Sequence, residues 1–380
     1  MIQADAILRA ICTAKSLRYV GTRGDTSAPA VVIGRDPGAE EDQAGKPFIG
    51  ASGREQDRML ADAGWNPANL WFTNVIKVRI PGNDIKRFGE LGIPIELFHN
   101  QTLEELQEHK PTIIIPAGET ALAFLCPQCT TKKGNKKNTN ITKWQGSLLT
   151  SPKLQWTHYV VPVIHPAFVL REWSERAIAV LCYGKALDEL DYWRSHGMLQ
   201  PLPARQLLVD LSSDEIIQFL RECLEWKDPL SIDIEMLQKR FVYTVGIARS
   251  PDLAISFSLW NFPTDKLMVV FRLLDELLRT HRQIGQNYLN FDSCWFNSLG
   301  FTVNSSLVQD TMIRHHVLWP EFPHSLAFQT VQYTREPFYK DDGRRWTPKD
   351  DMSRLRRYNA RDSAVTYEVF NAQEEEFANG

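Results

Sequence analysis

Four runs of consecutive apolar residues mark the first half of the chain: Ala30–Ile33, Leu70–Thr73, Thr112–Ile115 and Tyr159–Ile164. Stretches with helical spacing, such as Gly53–Ala63 and Thr102–His109, separate them. A strand that is apolar at every position is buried on both faces, and strands alternating with helices build parallel crossovers. This half is predicted to be a three-layer α/β/α domain with a parallel four-stranded sheet. Between its elements, Cys129–Lys143 is rich in Lys, Asn and Thr and reads as a mobile loop. The pattern breaks at Ser195–Ala204, where two prolines and a glycine interrupt it. The predicted organisation is a domain over 1–194, a linker over 195–206 and a domain over 207–380.

The second half has a different rhythm. Leu230–Met236 alternates apolar and polar residues as a strand does, which places Asp233 and Glu235 on one face. Leu355–Phe370 has helical spacing, so Tyr358 and Asp362, four residues apart, share a helical face. Asp292 follows a Gly-Gln-Asn turn and a short aromatic segment that can return a further carboxylate to the same place.

Composition sets few bounds. The 380 residues suffice for two domains, and 43% hydrophobic with 23% charged residues is ordinary globular composition. No apolar stretch approaches a membrane span and Met1-Ile-Gln-Ala-Asp5 has no basic signal region, so a cytoplasmic protein with no membrane partner is expected. The formal charge of −3 does not exclude a nucleic-acid partner, because the local field decides binding. Two basic clusters qualify: Lys132, Lys133, Lys136 and Lys137, and Arg344, Arg345, Arg354, Arg356 and Arg357. Six cysteines give no disulfide framework at this size, and Cys126-Pro-Gln-Cys129 alone lacks two of the ligands of a closed zinc site.

The acids of the second half suit one chemistry. In-line phosphodiester hydrolysis needs charge neutralised on the attacking and leaving oxygens, which two divalent ions supply, and such hard ions prefer carboxylate oxygens. In Ser231–Glu235, Gln286–Asp292 and Tyr358–Asp362, with Asp310-Thr-Met and His324-Ser-Leu between the last two, the chain resembles the proofreading 3′–5′ exonuclease domain of family A DNA polymerases, in the subclass with a tyrosine in the third motif. The resemblance covers Leu207 onward. It implies a ribonuclease H-like α/β domain in which Asp233, Glu235, Asp292 and Asp362 hold two Mg2+ or Mn2+ ions and Tyr358 positions the attacking water. Asn287 and Arg357 are its candidate substrate contacts, and Asp310 is read as a structural residue at a helix start.

In the first half, polar residues gather after the strands, where open α/β sheets place ligands. The loops are Gly34–Gly50, Asn74–Asn83 and His165–Arg171. Over residues 28–193 this pattern resembles the uracil-DNA glycosylase superfamily, most closely its iron–sulfur thermophile-type branch. The resemblance implies that Phe48 stacks on a flipped uracil, that Asn74 reads its amide edge with Asn83 among the substrate contacts, and that His165 donates to the developing O2 oxyanion. A carboxylate then positions water, either Asp36 or Glu41. The chain departs from the branch at Arg35, where an acid is usual, and at Val78, where a cluster cysteine is usual. No cysteine pair precedes the first strand, so no iron–sulfur cluster is expected.

The sequence therefore predicts a bacterial or phage DNA-processing protein with a glycosylase-like domain and a 3′–5′ exonuclease acting on single strands or 3′ ends. With no polymerase domain after the third motif, a separate DNA polymerase is the expected partner. The alternative is an exonuclease whose first domain binds DNA or uracil without cleaving it.

Overall fold

The computed structural model describes residues 3–79, 82, 87–90, 92–133, 136–237, 240–344, 346–347 and 350–379. The chain forms two units, Met1–Pro201 and Leu202–Gly380, each with its own sheet.

In the first unit the strands are β1 (Arg23–Gly24), β2 (Ala30–Gly34), β3 (Trp71–Asn74), β4 (Ile113–Pro116), the ribbon strands β5 (Thr131–Lys133) and β6 (Lys136–Asn138), and β7 (Tyr159–Val160). The main sheet has the order β1-β3-β2-β4-β7. Four of these strands run parallel, and the two-residue β1 joins β3 as an antiparallel edge. Every residue of β2, β3 and β4 is buried, and because successive side chains point to opposite faces, both faces are covered. Helix Ala51–Asp62 packs on Arg176–His196, joined by Gln56 Nε2 donating to Tyr183 Oη at 2.6 Å, and helix Gln3–Ala14 packs on Ile95–His109.

Two expectations are corrected here. The run Tyr159–Ile164 is a strand only at Tyr159–Val160, since Pro162 has no N–H to donate, although Val163 resumes with a single bridge to Ala117. Cys129–Lys143 is not a plain loop. It holds the antiparallel ribbon β5–β6, with Lys132 opposite Lys137, and a helical turn at Ile141–Trp144.

In the second unit the strands are β8 (Gln206–Leu208), β9 (Leu230–Leu237), β10 (Phe241–Ser250), β11 (Leu253–Ser258), β12 (Gln283–Gly285) and β13 (Val308–Asp310). Their order is β13-β12-β9-β10-β11-β8. The antiparallel meander β9–β10–β11 is flanked by β12 and β13 parallel to β9, the mixed sheet expected of a ribonuclease H-like domain, with β8 added at the far edge. On one face Ile232, Ile234, Val245, Ile247 and Phe257 pack against helices Ser213–Leu224 and Thr264–Thr280. On the other lies the 28-residue helix Met352–Asn379, longer than predicted at both ends. Small residues dominate that contact: Ala248 and Ala254 meet Ala360 and Ala364. A Cβ on Gly246 would stand 2.5 Å from Ser363 Oγ and 2.9 Å from the Asn359 carbonyl, so the bare glycine lets the helix approach the sheet. Gly246 faces Asp233 across the ladder, and this approach brings the third motif to the first. No described helix is long and apolar enough to cross a membrane.

Candidate functional sites

The carboxylate site starts from β9. Ile232 and Ile234 enter the core, so Asp233 and Glu235 face the long helix, as their alternation predicts. Ligand oxygens of Asp233, Glu235 and Asp362 lie within 4.8 Å of one another. Asp292 opens helix Asp292–Ser298, and its Oδ1 accepts from the Ile234 N–H at 3.0 Å, which fixes it beside β9 but outside that trio. Asp310 is the structural residue expected. It caps helix Thr311–Leu318 through Met312 N at 3.0 Å, and it also accepts from Asn287 N at 3.0 Å and Leu289 N at 3.2 Å, holding the loop that carries Asp292.

Two residues in this site escaped sequence reasoning. Asn359 Nδ2 donates to Asp233 Oδ2 at 2.6 Å while its Oδ1 accepts from Ser256 Oγ at 2.7 Å. Its place three residues before Asp362 on the same helix was the available signal. Lys340 Nζ donates to Asp362 Oδ2 at 2.6 Å and to Tyr358 Oη at 3.4 Å, and no periodicity announces a loop lysine. Gly343 has no side chain where the Tyr358 ring packs; a Cβ there would lie 2.5 Å from its Cζ. Of the basic cluster beside the third motif, Arg354 pairs with Asp342 and Arg356 with Asp210, whereas Arg357 is exposed. Asn287 holds a left-handed backbone at φ 57°.

Crowding leaves an electrostatic mark. Burial, and then the Asp362 carboxylate, push the Asp233 carboxyl up to about 8. Burial, then Asp233, raise both Glu235 and Asp292. The donor set fits a divalent cation: all are hard oxygen ligands, and the buried Asp362 Oδ1 has no hydrogen-bond partner among the described residues. Asp233 binds its proton more tightly folded than unfolded, so its contribution to metal-free stability is lost as pH rises from 3.8 to about 8. In EDTA the stability of wild type relative to Asp233→Asn should therefore fall across this window, and Mg2+ should reverse the trend. Paired thermal melts at pH 5 and pH 8 check it, and a wild type that gains on the variant with rising pH in EDTA contradicts it.

The second site lies where the parallel strands of the first unit end. A cavity of about 530 Å³ is lined by Asp36, Glu41, Phe48, Asn74 and His165, with Arg35, Glu119 and Arg171 also on its wall. Five predicted residues thus share one cavity; Asn83 lies outside the described residues. The strand end carrying Asn74 is braced from below, where fully buried Lys77 reaches Thr73 and pairs with Glu105 at 2.6 Å. Val78, at the departure from the cysteine pattern, is buried and bridges Tyr19. Cys126 and Cys129 are free and buried, and Cys126 Sγ approaches the Thr150 carbonyl at 3.7 Å.

Phe48 is the strained point. Its φ is 55°, a left-handed conformation that an aromatic residue seldom adopts. Two glycines permit it: a Cβ on Gly34 would overlap Asn74 Oδ1 and come 2.8 Å from Phe48 Cζ, and one on Gly53 would come 2.6 Å from Phe48 Cα. Gly34→Ala is therefore expected to displace Asn74 and Phe48 together and to cost about 1–3 kcal/mol of stability. Chemical denaturation measures the cost, and an unchanged midpoint would show that the contact is slack.

The two candidate bases are both engaged. Asp36 forms an ion pair with Arg35, and Glu41 Oε2 accepts from the Gly38 N–H at 2.7 Å, capping the turn into helix Ala39–Ala44. His165 Nδ1 accepts from Ala167 N–H at 3.1 Å, which assigns the proton of the neutral ring to Nε2. Burial first, then the Arg35 and Arg171 charges, lower its pKa to about 4, so the imidazole is neutral at pH 7.

A cavity at the strand ends is where open parallel α/β sheets place their ligands. Residues 22–190 match the model of the uracil DNA glycosylase superfamily, and the N-terminal half of the chain carries a domain of that superfamily. The type-4 uracil-DNA glycosylase of Archaeoglobus fulgidus is 29% identical over 46% of this chain and 87% of its own length. That of Thermotoga maritima is 28% identical over 43% of this chain and 80% of its own. Similar solved structures include Brucella melitensis NrnC, at 14% identity and TM-score 0.32 over 46% of this chain and 82% of that one. Another is the EXD2 exonuclease domain soaked in Mn and dGMP, at 18% identity and TM-score 0.23 over 45% of this chain and 89% of that one.

Proposed function

We propose that the chain is a DNA-processing protein that joins a metal-dependent 3′–5′ exonuclease to a uracil-recognising domain. The observation that carries the first part is the convergence of Asp233, Glu235 and Asp362 within 4.8 Å, with a buried oxygen on Asp362 that has no partner among the described residues. Divalent ions of the Mg2+ or Mn2+ kind, held by these acids and Asp292, would supply charge neutralisation on the attacking and leaving oxygens. The chain's own residues do the rest. Asn359 and the Ile234 N–H fix the directions of Asp233 and Asp292. Tyr358 orients the attacking water, and Arg357 and Asn287 hold the strand. Substrates are single strands and 3′ ends, and sequence preference is weak because such channels rely on stacking and backbone charge. A separate DNA polymerase is the partner this activity would serve.

In the first domain a flipped base enters the cavity, stacks on Phe48 and is read by Asn74. His165, neutral with its proton on Nε2, donates to the O2 oxygen as the glycosidic bond breaks. Asp36 positions the water, while Glu41 keeps the turn closed. One observation favours the second reading, a uracil-binding module without cleavage: Arg35 already neutralises Asp36.

A paired assay tests both parts. The protein is given a labelled single strand with Mg2+, and a uracil-containing oligonucleotide with EDTA. Digestion from the 3′ end supports the nuclease. Abasic sites in EDTA support cleavage by the first domain, and retention of the oligonucleotide without abasic sites supports the binding module.

A further inference from the structure

Lys340 is the residue whose placement the exonuclease chemistry does not call for. Its side chain is 12% exposed, and its ammonium is pressed between Asp362 Oδ2 at 2.6 Å and the Tyr358 hydroxyl at 3.4 Å. It also lies over the rings of Tyr339 and Tyr358, at 5.3 Å from each centroid. Cations over aromatic faces are held electrostatically, so the two tyrosines form a seat for this ammonium. Beside it stand three carboxylates with oxygens within 4.8 Å of one another, an arrangement whose mutual repulsion is relieved by bound protons or by a cation. One oxygen of Asp362 is taken by Lys340; the other is buried and has no hydrogen-bond partner among the described residues.

Resting on the exonuclease reading, we propose that Lys340 is a positioning residue that acts as a tethered resident cation of the carboxylate site. It holds Asp362 in place in the metal-free protein and opposes the entry of a divalent ion of the Mg2+ or Mn2+ kind, thereby setting the affinity for that ion. Its ammonium donates to Asp362 without leaving the chain, and it neutralises one charge where a divalent ion would neutralise two. Without it the carboxylates face an incoming ion with one more net negative charge, and no ammonium has to be shifted. The device explains why a lysine sits where a further acid would increase affinity.

The test is Mn2+ binding to the full chain without DNA, measured by calorimetry or by loss of the free-ion electron paramagnetic resonance signal. Wild type, Lys340→Met, Lys340→Arg and Asp362→Asn are compared. Lys340→Met is expected to bind Mn2+ about tenfold more tightly or better, on the order of the coupling between close charges in a partly screened site. Lys340→Arg keeps the charge and should stay near wild type. In EDTA Lys340→Met should melt lower than wild type, and Mn2+ should restore more stability to it than to wild type. Unchanged or weaker Mn2+ binding by Lys340→Met overturns the proposal, with the melt in Mn2+ showing that the variant is folded; should it not fold, Lys340→Gln is judged by the same criterion. The exonuclease reading fails separately, and this proposal with it, when wild type shows no Mn2+ binding that Asp362→Asn removes.

Discussion

Asp233→Ala and Asp362→Asn are each expected to lower Mg2+-dependent digestion of a 3′-ended single strand by at least ~10³-fold, the scale on which losing a ligand of a catalytic ion removes charge stabilisation from the transition state. The two acids come from distant parts of the chain and meet because the long helix lies close on β10 at Gly246. Each contributes something its neighbours cannot replace. Asp233 is fixed by Asn359 at 2.6 Å, and Asp362 carries the buried oxygen with no partner among the described residues. Tyr358→Phe, which removes only the hydroxyl, should impair digestion by about 10–100-fold, below the range typical of losing a full acid–base group. Time courses with a 3′-labelled oligonucleotide measure all three. Metal-dependent digestion that persists in purified Asp233→Ala would sink the assignment.

His165→Ala is expected to reduce the formation of abasic sites in uracil-containing DNA by about 10²–10³-fold, the usual loss when a donor to a developing oxyanion is removed. The ring is already in the donating tautomer, and its pKa of about 4 keeps it neutral across the working range. Cleavage in EDTA should accordingly be flat from about pH 5 to pH 8 with respect to this group, falling only as the imidazole protonates. The same lowered pKa has a stability consequence of opposite sense to that of Asp233. Charging a buried imidazole is disfavoured, so stability is present above the unfolded value of 6.5 and is lost as pH falls toward about 4. Within the same assay, Asp36→Asn should slow cleavage more than Glu41→Gln, because a glutamine oxygen can still accept from the Gly38 N–H. Equal losses would return Glu41 to the chemistry.

Much of this was legible in the chain itself. Continuous apolar runs identified β2, β3 and β4, and alternation placed Asp233 and Glu235 on one face, because burial and pleating write themselves directly into residue order. Legibility failed where partners are set by distance in space. Lys340 gives no periodic signal, and its place beside Asp362 arises only when the loop before the long helix folds back. Asn359 looks like any helical polar residue until Ser256 and Asp233 stand on either side of it. The ribbon β5–β6 was hidden because its residues are poor strand formers whose pairing is local. Arg35 was visible as a departure, but its pairing with the adjacent Asp36 was not.

The left-handed Phe48 bears on how a ligand would bind. Hemmed in by Gly34 and Gly53 and resting 5.7 Å from the Phe72 ring, it has little freedom left to lose. On the uracil-recognising reading proposed above, a base entering the cavity would meet a platform whose entropy was surrendered during folding, so the cost of ordering would fall on the DNA strand that must release the base, and hardly at all on the protein. Such a pocket would work as a fixed gauge: it would reward whatever arrives already unstacked, and do little to pry a base from an intact duplex.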